Sequence, residues 1–302
     1  MPYADNQSTR IHYQVEGDGP PLVLQHGFTG NLMRWYSFGY VGALQSSYRL
    51  ILVDARGHGQ SDKPHDPAAY ALPLRVGDVV AVLDALNLRT AHYWGYSMGG
   101  WIGFGMAKYA PERIRSLVIG GAHPFENKLP PSSRSDGSDP DAFLAALLGR
   151  LGVDPATIPP AIRQELLAND FRALAAAQQD RPSIEDVLPT MKMPCCVYAG
   201  DADPLYPRAE QCAKALPSGT FFALSGLDHS AAFREAKLAL PHVSKFLETV
   251  ACNSVQRAAL MPQDQPLRAP VLVQAGALVR LWSIRLDSRQ SSNELLGHPC
   301  VA

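Results

Sequence analysis

The run Gly95-Tyr96-Ser97-Met98-Gly99-Gly100 sets a serine between glycines in a G-x-S-x-G pattern. An apolar pair, Tyr93-Trp94, precedes it and residues 98–109 read as a helix, so Ser97 falls on a strand-to-helix turn. Such a turn holds the serine in a strained backbone conformation, and glycines two residues to either side remove the Cβ atoms that would clash. The hydroxyl then projects at a helix N-terminus, where the Met98 N–H and the helix dipole favour developing negative charge. The chemistry implied is nucleophilic attack by Ser97. A serine nucleophile needs a base, and the base needs a carboxylate to orient it. His229 follows an apolar run at 220–224, and Asp201 and Asp203, in Gly200-Asp201-Ala202-Asp203-Pro204, follow another at 195–199. Both places lie beyond the C-terminal ends of expected strands, the edge where open α/β sheets gather their ligands.

Positioning these groups requires a sheet. Residues 11–15, 22–25, 50–53, 92–95 and 116–119 read as short strands, and 32–44, 74–86 and 98–109 as helices. Within 74–86, Val76, Val79, Val80, Leu83 and Leu86 form one helical face. The rhythm returns as strand 195–199, helix 209–216, strand 220–224 and helix 232–250. Alternating βα units of this kind predict an α/β fold with a doubly wound, mostly parallel sheet. Between the two blocks the character changes. Residues 129–140 are rich in Pro, Ser and Asp, and helical stretches at 142–151 and 162–178 are separated by Pro155, Pro159 and Pro160. The expected partition is a core of residues 1–124 and 189–251, a helical cap inserted at 125–188, and a C-terminal extension, 252–302, with no assigned role. Residues 290–302 read as a disordered end.

The segments His26-Gly27-Phe28-Thr29-Gly30, Asp54 to Pro64 (DARGHGQSDKP), Gly95 to Gly100, Gly200 to Pro204 and the late His229 resemble, in this order, the α/β-hydrolase fold family, in its serine-hydrolase branch with a helical cap. The resemblance spans about 11–250 and implies a Ser97, Asp203, His229 triad, since the acid in that family usually lies three residues past the glycine. Asp201 is the runner-up. It also implies an oxyanion hole from the N–H groups of Phe28 and Met98. His26 is expected to shape the oxyanion loop and His58 to be structural. Asp228, beside the base, is a solvated loop residue or a charge acting on His229. Haloalkane dehalogenases and most epoxide hydrolases of this fold carry an aspartate where this chain has Ser97, so both are disfavoured.

These observations imply a carboxylesterase-like enzyme cleaving small to medium neutral esters through an acyl-enzyme. Trp35, Trp101 and His123 are candidates for the substrate pocket, with Tyr36, Phe143 and Phe171 behind them. The expectation of neutral substrates rests on the absence of any charged anchor legible in the sequence. A carbon-carbon bond hydrolase or lyase with the same triad is the alternative, because HGFTG and GYSMGG are also similar to the menaquinone-pathway synthases. Those place an arginine directly after GYSMGG, where this chain has Trp101. A ligand receptor with little turnover is the third reading.

Composition excludes other classes. The chain has 302 residues, 46% hydrophobic and 18% charged, enough for a large core, and a net charge of −1 without a basic cluster, which argues against nucleic acid and anionic membranes as partners. The apolar run 269–279 contains Gln274 and is too short to span a bilayer. No HExxH, zinc-type Cys/His spacing, GxGxxG or GxxxxGK[ST] occurs, so neither metal nor cofactor is expected. An N-terminus without a basic start or apolar stretch predicts a cytoplasmic protein. The five cysteines predict reduced, mostly buried thiols. The oligomeric state is not legible.

Overall fold

The computed structural model describes residues 2–131, 134–150, 156, 158 and 160–259. Apolar runs bounded by turn residues form eight strands: β1 (Tyr3–Asn6), β2 (Thr9–Glu16), β3 (Pro21–Gln25), β4 (Arg49–Val53), β5 (Ala91–Tyr96), β6 (Ile114–Gly120), β7 (Cys195–Gly200) and β8 (Gly219–Leu224). Their order across the sheet is β1-β2-β4-β3-β5-β6-β7-β8. β1 and β2 run antiparallel to their neighbours, and β4 through β8 with β3 are parallel. The chain steps from β3 outward to β4 and then back across β3 to β5, so the winding direction reverses between β3 and β5. A crevice opens at such a reversal, beyond the strand C-termini.

The helices are α1 (Met33–Ser37), α2 (Tyr40–Leu44), α3 (Leu72–Ala85), α4 (Met98–Tyr109), α5 (Pro140–Arg150), α6 (Pro160–Leu167), α7 (Phe171–Ala177), α8 (Tyr206–Ala215), α9 (Ala231–Arg234) and α10 (Ala236–Ala259). Three stretches expected as single helices are each two. Gly39, at φ +88°, separates α1 from α2. Asp170, whose carboxylate accepts from the Ala173 N–H at 3.0 Å, starts α7 afresh after α6. Glu235 leaves helical geometry between α9 and α10. The edge strand β1, four mostly polar residues, is too short for its alternation to register in sequence.

Side chains alternate across the sheet, so β3 sends Leu22 and Leu24 to one face and Val23 to the other. On the Val23 face lie α3, α4 and α8; on the Leu22 face, α1, α2 and α10. α5, α6 and α7 lie in the chain between the paired strands β6 and β7 as a helical insertion, with their own cluster of Phe143, Leu144, Leu147, Leu166, Phe171 and Leu174. Arg34 on α1 pairs with Glu165 of the cap at 3.2 Å, and Arg75 donates from α3 to Ala177 O at 2.8 Å. Among the described residues no helix is long and apolar enough to cross a membrane. Cys195, Cys196 and Cys212 are free and buried, Cys252 is free and exposed. Burial pushes the Cys195 thiol up to about 12 and Cys196 to about 11. Most of the extension called at 252–302, with the 269–279 run and Cys300, lies outside the described residues.

Two histidines tie stability to pH. Burial, with the charge of Arg115, pushes His92 down to about 4, and burial, with Arg208 and Arg181, does the same to His123. Both are neutral in the fold at pH 7. Against an unfolded value near 6.5, the unfolded chain binds more protons as pH falls from about 6.5 to 4, so stability present above that window is lost within it, about 3 kcal/mol for each histidine. The denaturation midpoint is expected to drop steadily across these pH values, and His92→Gln to flatten the drop. An unchanged slope in that variant would remove His92 from the account.

Candidate active site

The parallel strands deliver the expected residues to one edge. Ser97 directly follows β5, the His26-Gly27-Phe28 turn directly follows β3, Asp203 lies three residues past β7 and His229 five past β8. Ser97 has φ 53° and ψ −111°, a conformation rare for any residue with a Cβ, and its N–H is held by Gly120 O at 2.8 Å. The flanking glycines are required by close approach. A Cβ on Gly95 would lie 2.2 Å from Gly99 O, and one on Gly99 would lie 2.2 Å from Gln25 O.

His229 Nε2 is 2.9 Å from Ser97 Oγ, and His229 Nδ1 is 2.6 Å from Asp203 Oδ2. A carboxylate only accepts, so Nδ1 carries the proton and the Nε2 lone pair faces the serine hydroxyl. The other oxygen of Asp203 accepts from the Leu205 N–H at 2.8 Å, and Tyr96 braces the histidine loop by donating to His229 O at 2.6 Å. Asp201 takes no part in this chain of hydrogen bonds. Its carboxylate accepts from the Gly226 N–H at 2.6 Å and from Ser225 Oγ at 3.2 Å. Asp228 accepts from the Ser230 and Ala231 N–H groups at the start of α9.

A side chain at Gly27 would meet Ser97 Cβ at 3.3 Å, so the turn after β3 lies against the serine. Within the described residues the N–H groups of Phe28 and Met98 have no hydrogen-bond acceptor. His26 shapes this turn: the Ala55 N–H donates to its Nε2 at 3.0 Å, which leaves Nδ1 to donate to Gly27 O at 2.8 Å. Burial holds its pKa low, so the ring is neutral. His58 is fully buried against His26 and Phe28.

Ser97, Gly121, Ala122, His123, Phe125, Asn127, Arg181 and Leu205 line a pocket with an empty volume of about 260 Å³, part of it open to solvent. His123 is one of the residues lining this pocket. Trp35 is not. It is fully buried under the opposite sheet face among Tyr40, Trp94 and Phe233, because α1 presents it to the core and not to the crevice. The Tyr36 hydroxyl is turned instead to Glu16 Oε1 at 2.8 Å and Gln14 Oε1 at 2.9 Å. Phe143 and Phe171 pack the cap together and against Phe28. Trp101 is not among the residues lining the pocket either: it is buried in the core, with the Arg181 guanidinium 4.8 Å above its ring.

Arg181 also corrects the expectation of an uncharged pocket, since it shares the pocket lining with Ser97. Asp180-Arg181-Pro182 carries no motif, and only the return of the cap toward β7, where Arg181 and Asn127 exchange backbone hydrogen bonds at 2.9 Å, brings the charge to the site. Among the described residues no group of three His, Cys, Asp or Glu side chains is placed to hold a metal ion.

Residues 20–147 match the family model described as alpha/beta hydrolase fold. The chain is 26% identical to a Bacillus subtilis (strain 168) protein provisionally named 2-succinyl-6-hydroxy-2,4-cyclohexadiene-1-carboxylate synthase, over 80% of this chain and 97% of that one. Other curated relatives, 36% and 37% identical, are matched over only 43% and 37% of their own lengths. Among solved structures, an enol-lactonase from Burkholderia xenovorans LB400 superposes with a TM-score of 0.69 at 26% identity, covering 82% of this chain and 100% of that one. The esterase RhEst1 from Rhodococcus sp. ECU1013 gives 0.70 at 25% identity, covering 82% and 98%. The family model, which begins one residue before β3, and the superpositions on the enol-lactonase and on RhEst1 agree on one framework: this chain has the α/β hydrolase fold.

Proposed function

We propose that this hydrolase-fold protein is a serine ester hydrolase, with Ser97 as nucleophile, His229 as general base and Asp203 as its orienting acid. The observation that carries the reading is the continuous hydrogen-bond chain from Ser97 Oγ through His229 to Asp203. In the first half-reaction His229 Nε2 takes the Ser97 proton as Oγ attacks the ester carbonyl, and Asp203 stabilises the imidazolium. The unoccupied N–H groups of Phe28 and Met98 donate to the oxyanion, each worth on the order of 3 kcal/mol of barrier. The imidazolium then protonates the leaving alcohol. In the second half-reaction water, deprotonated by the same histidine, cleaves the acyl-serine.

The confined space beside Ser97, walled by His123, Phe125, Arg181 and Leu205, suits short acyl groups better than long ones. With p-nitrophenyl esters from acetate to decanoate, kcat/KM is expected to peak at the short end, and absence of turnover on every ester overturns the reading. A carbon-carbon bond hydrolase or lyase is the second reading. It is favoured by one observation, that Arg181 over Trp101 returns a positive charge to the neighbourhood where the similar synthases carry an arginine. Turnover of simple esters at rates far above background decides for the first. We further propose the partition at 125–188 as the cap boundary, and a cytoplasmic setting.

A further inference from the structure

Two guanidinium groups lie over the Trp101 ring, Arg75 at 5.7 Å and Arg181 at 4.8 Å, and they differ in one respect. Arg75 is hydrogen-bonded through each of its three nitrogens: it donates to Tyr70 O at 2.8 Å, to Met98 Sδ at 3.3 Å and to Ala177 O at 2.8 Å. The Arg181 side chain has no hydrogen-bond acceptor and no carboxylate partner among the described residues, and the charge it feels most is that of another cation, Arg150. A partly buried guanidinium carries five N–H donors, and leaving them unmade costs stability. The same pocket holds a second unpartnered polar atom, His123 Nδ1. Ser97 opens onto this space.

We propose that Arg181 anchors a carboxylate of the substrate, so that the site takes half-esters or lactones of acids bearing a second, free carboxylate. This deepens the ester-hydrolase reading and rests on it for the reaction. The planar fork of Arg181, backed by the Trp101 ring, suits bidentate capture of a carboxylate, and its partial burial strengthens that contact. The ester carbonyl would then reach Ser97 from a tether of a few bonds, which fits the small volume.

The test compares monomethyl glutarate with methyl pentanoate, reading released acid by titration, in wild type, Arg181→Gln and Arg181→Lys, each checked for an unchanged denaturation midpoint. Wild type is expected to favour the half-ester in kcat/KM by roughly ten- to a hundredfold, mainly through KM. Arg181→Gln is expected to bring the ratio toward one, and Arg181→Lys to restore part of it. No preference in wild type, or equal loss on both esters in Arg181→Gln, overturns the proposal and leaves Arg181 a structural prop. A second arm does not need turnover: calorimetric titration of Ser97→Ala with glutarate, with and without Arg181→Gln. Binding that depends on Arg181 while neither ester is cleaved keeps the anchor and removes the ester reading. Absence of such binding removes the anchor whatever the ester result.

Discussion

Ser97→Ala is expected to lower kcat for ester hydrolysis by about 10⁶-fold, the scale seen when a triad nucleophile is removed. Among the described residues no other hydroxyl or thiol lies in the hydrogen-bond chain to replace it, since His229 Nε2 has Ser97 Oγ as its partner at 2.9 Å. The same position tests the backbone argument. Ser97 holds φ 53° and ψ −111°, a region that costs a residue with a Cβ about 1–3 kcal/mol. Ala keeps that cost and Gly relieves it, so Ser97→Gly is expected to be as inactive as Ser97→Ala but more stable, by roughly 1 kcal/mol after its added unfolded-state entropy. Paired kinetics and denaturant titrations check both statements. Retained turnover in Ser97→Ala would remove Ser97 as the nucleophile. Equal stability of the two variants would show that the turn carries no strain of its own.

That strain is also why this part of the site was legible in the sequence. A serine forced into a positive-φ turn leaves its mark on the neighbours, since Gly95 and Gly99 have backbone oxygens where any Cβ would sit. The short parallel strands were legible for a similar reason: β5 and β7 are buried along their whole lengths and so read as continuous apolar runs. Trp35 was misplaced because an aromatic residue near a turn looks the same in sequence whether its helix faces the crevice or the opposite sheet face. Arg181 was invisible because nothing local marks it. Its place in the pocket comes from the approach of residues 127 and 181, and its charge has no carboxylate partner among the described residues, both of them properties of the folded pocket. Periodicity and motif report local constraint, and the charge balance of a cavity is not local.

Asp203→Asn and Asp201→Asn form the second decisive pair. Asp203→Asn is expected to lower kcat by about 10⁴-fold while changing the denaturation midpoint little. The physical reason lies in the two contacts of Asp203. Oδ1 accepts from the Leu205 N–H at 2.8 Å, so the amide oxygen of an asparagine remains there and its NH₂ turns toward His229 Nδ1. That nitrogen must then accept, the ring proton moves to Nε2, and the lone pair that should receive the Ser97 proton is gone. Asp201 holds the turn after β8 through Gly226 N–H and Ser225 Oγ, and an asparagine keeps an acceptor for the shorter of these contacts. Asp201→Asn is therefore expected to retain kcat within about threefold and to lose roughly 1 kcal/mol of stability. The reverse pattern, a large kcat loss at 201 and a small one at 203, would transfer the acid role to Asp201 and require the β7 and β8 loops to rearrange around substrate. Similar losses at both positions, each accompanied by a lower midpoint, would mean that the two carboxylates act through the shared loop and not through the tautomer of His229.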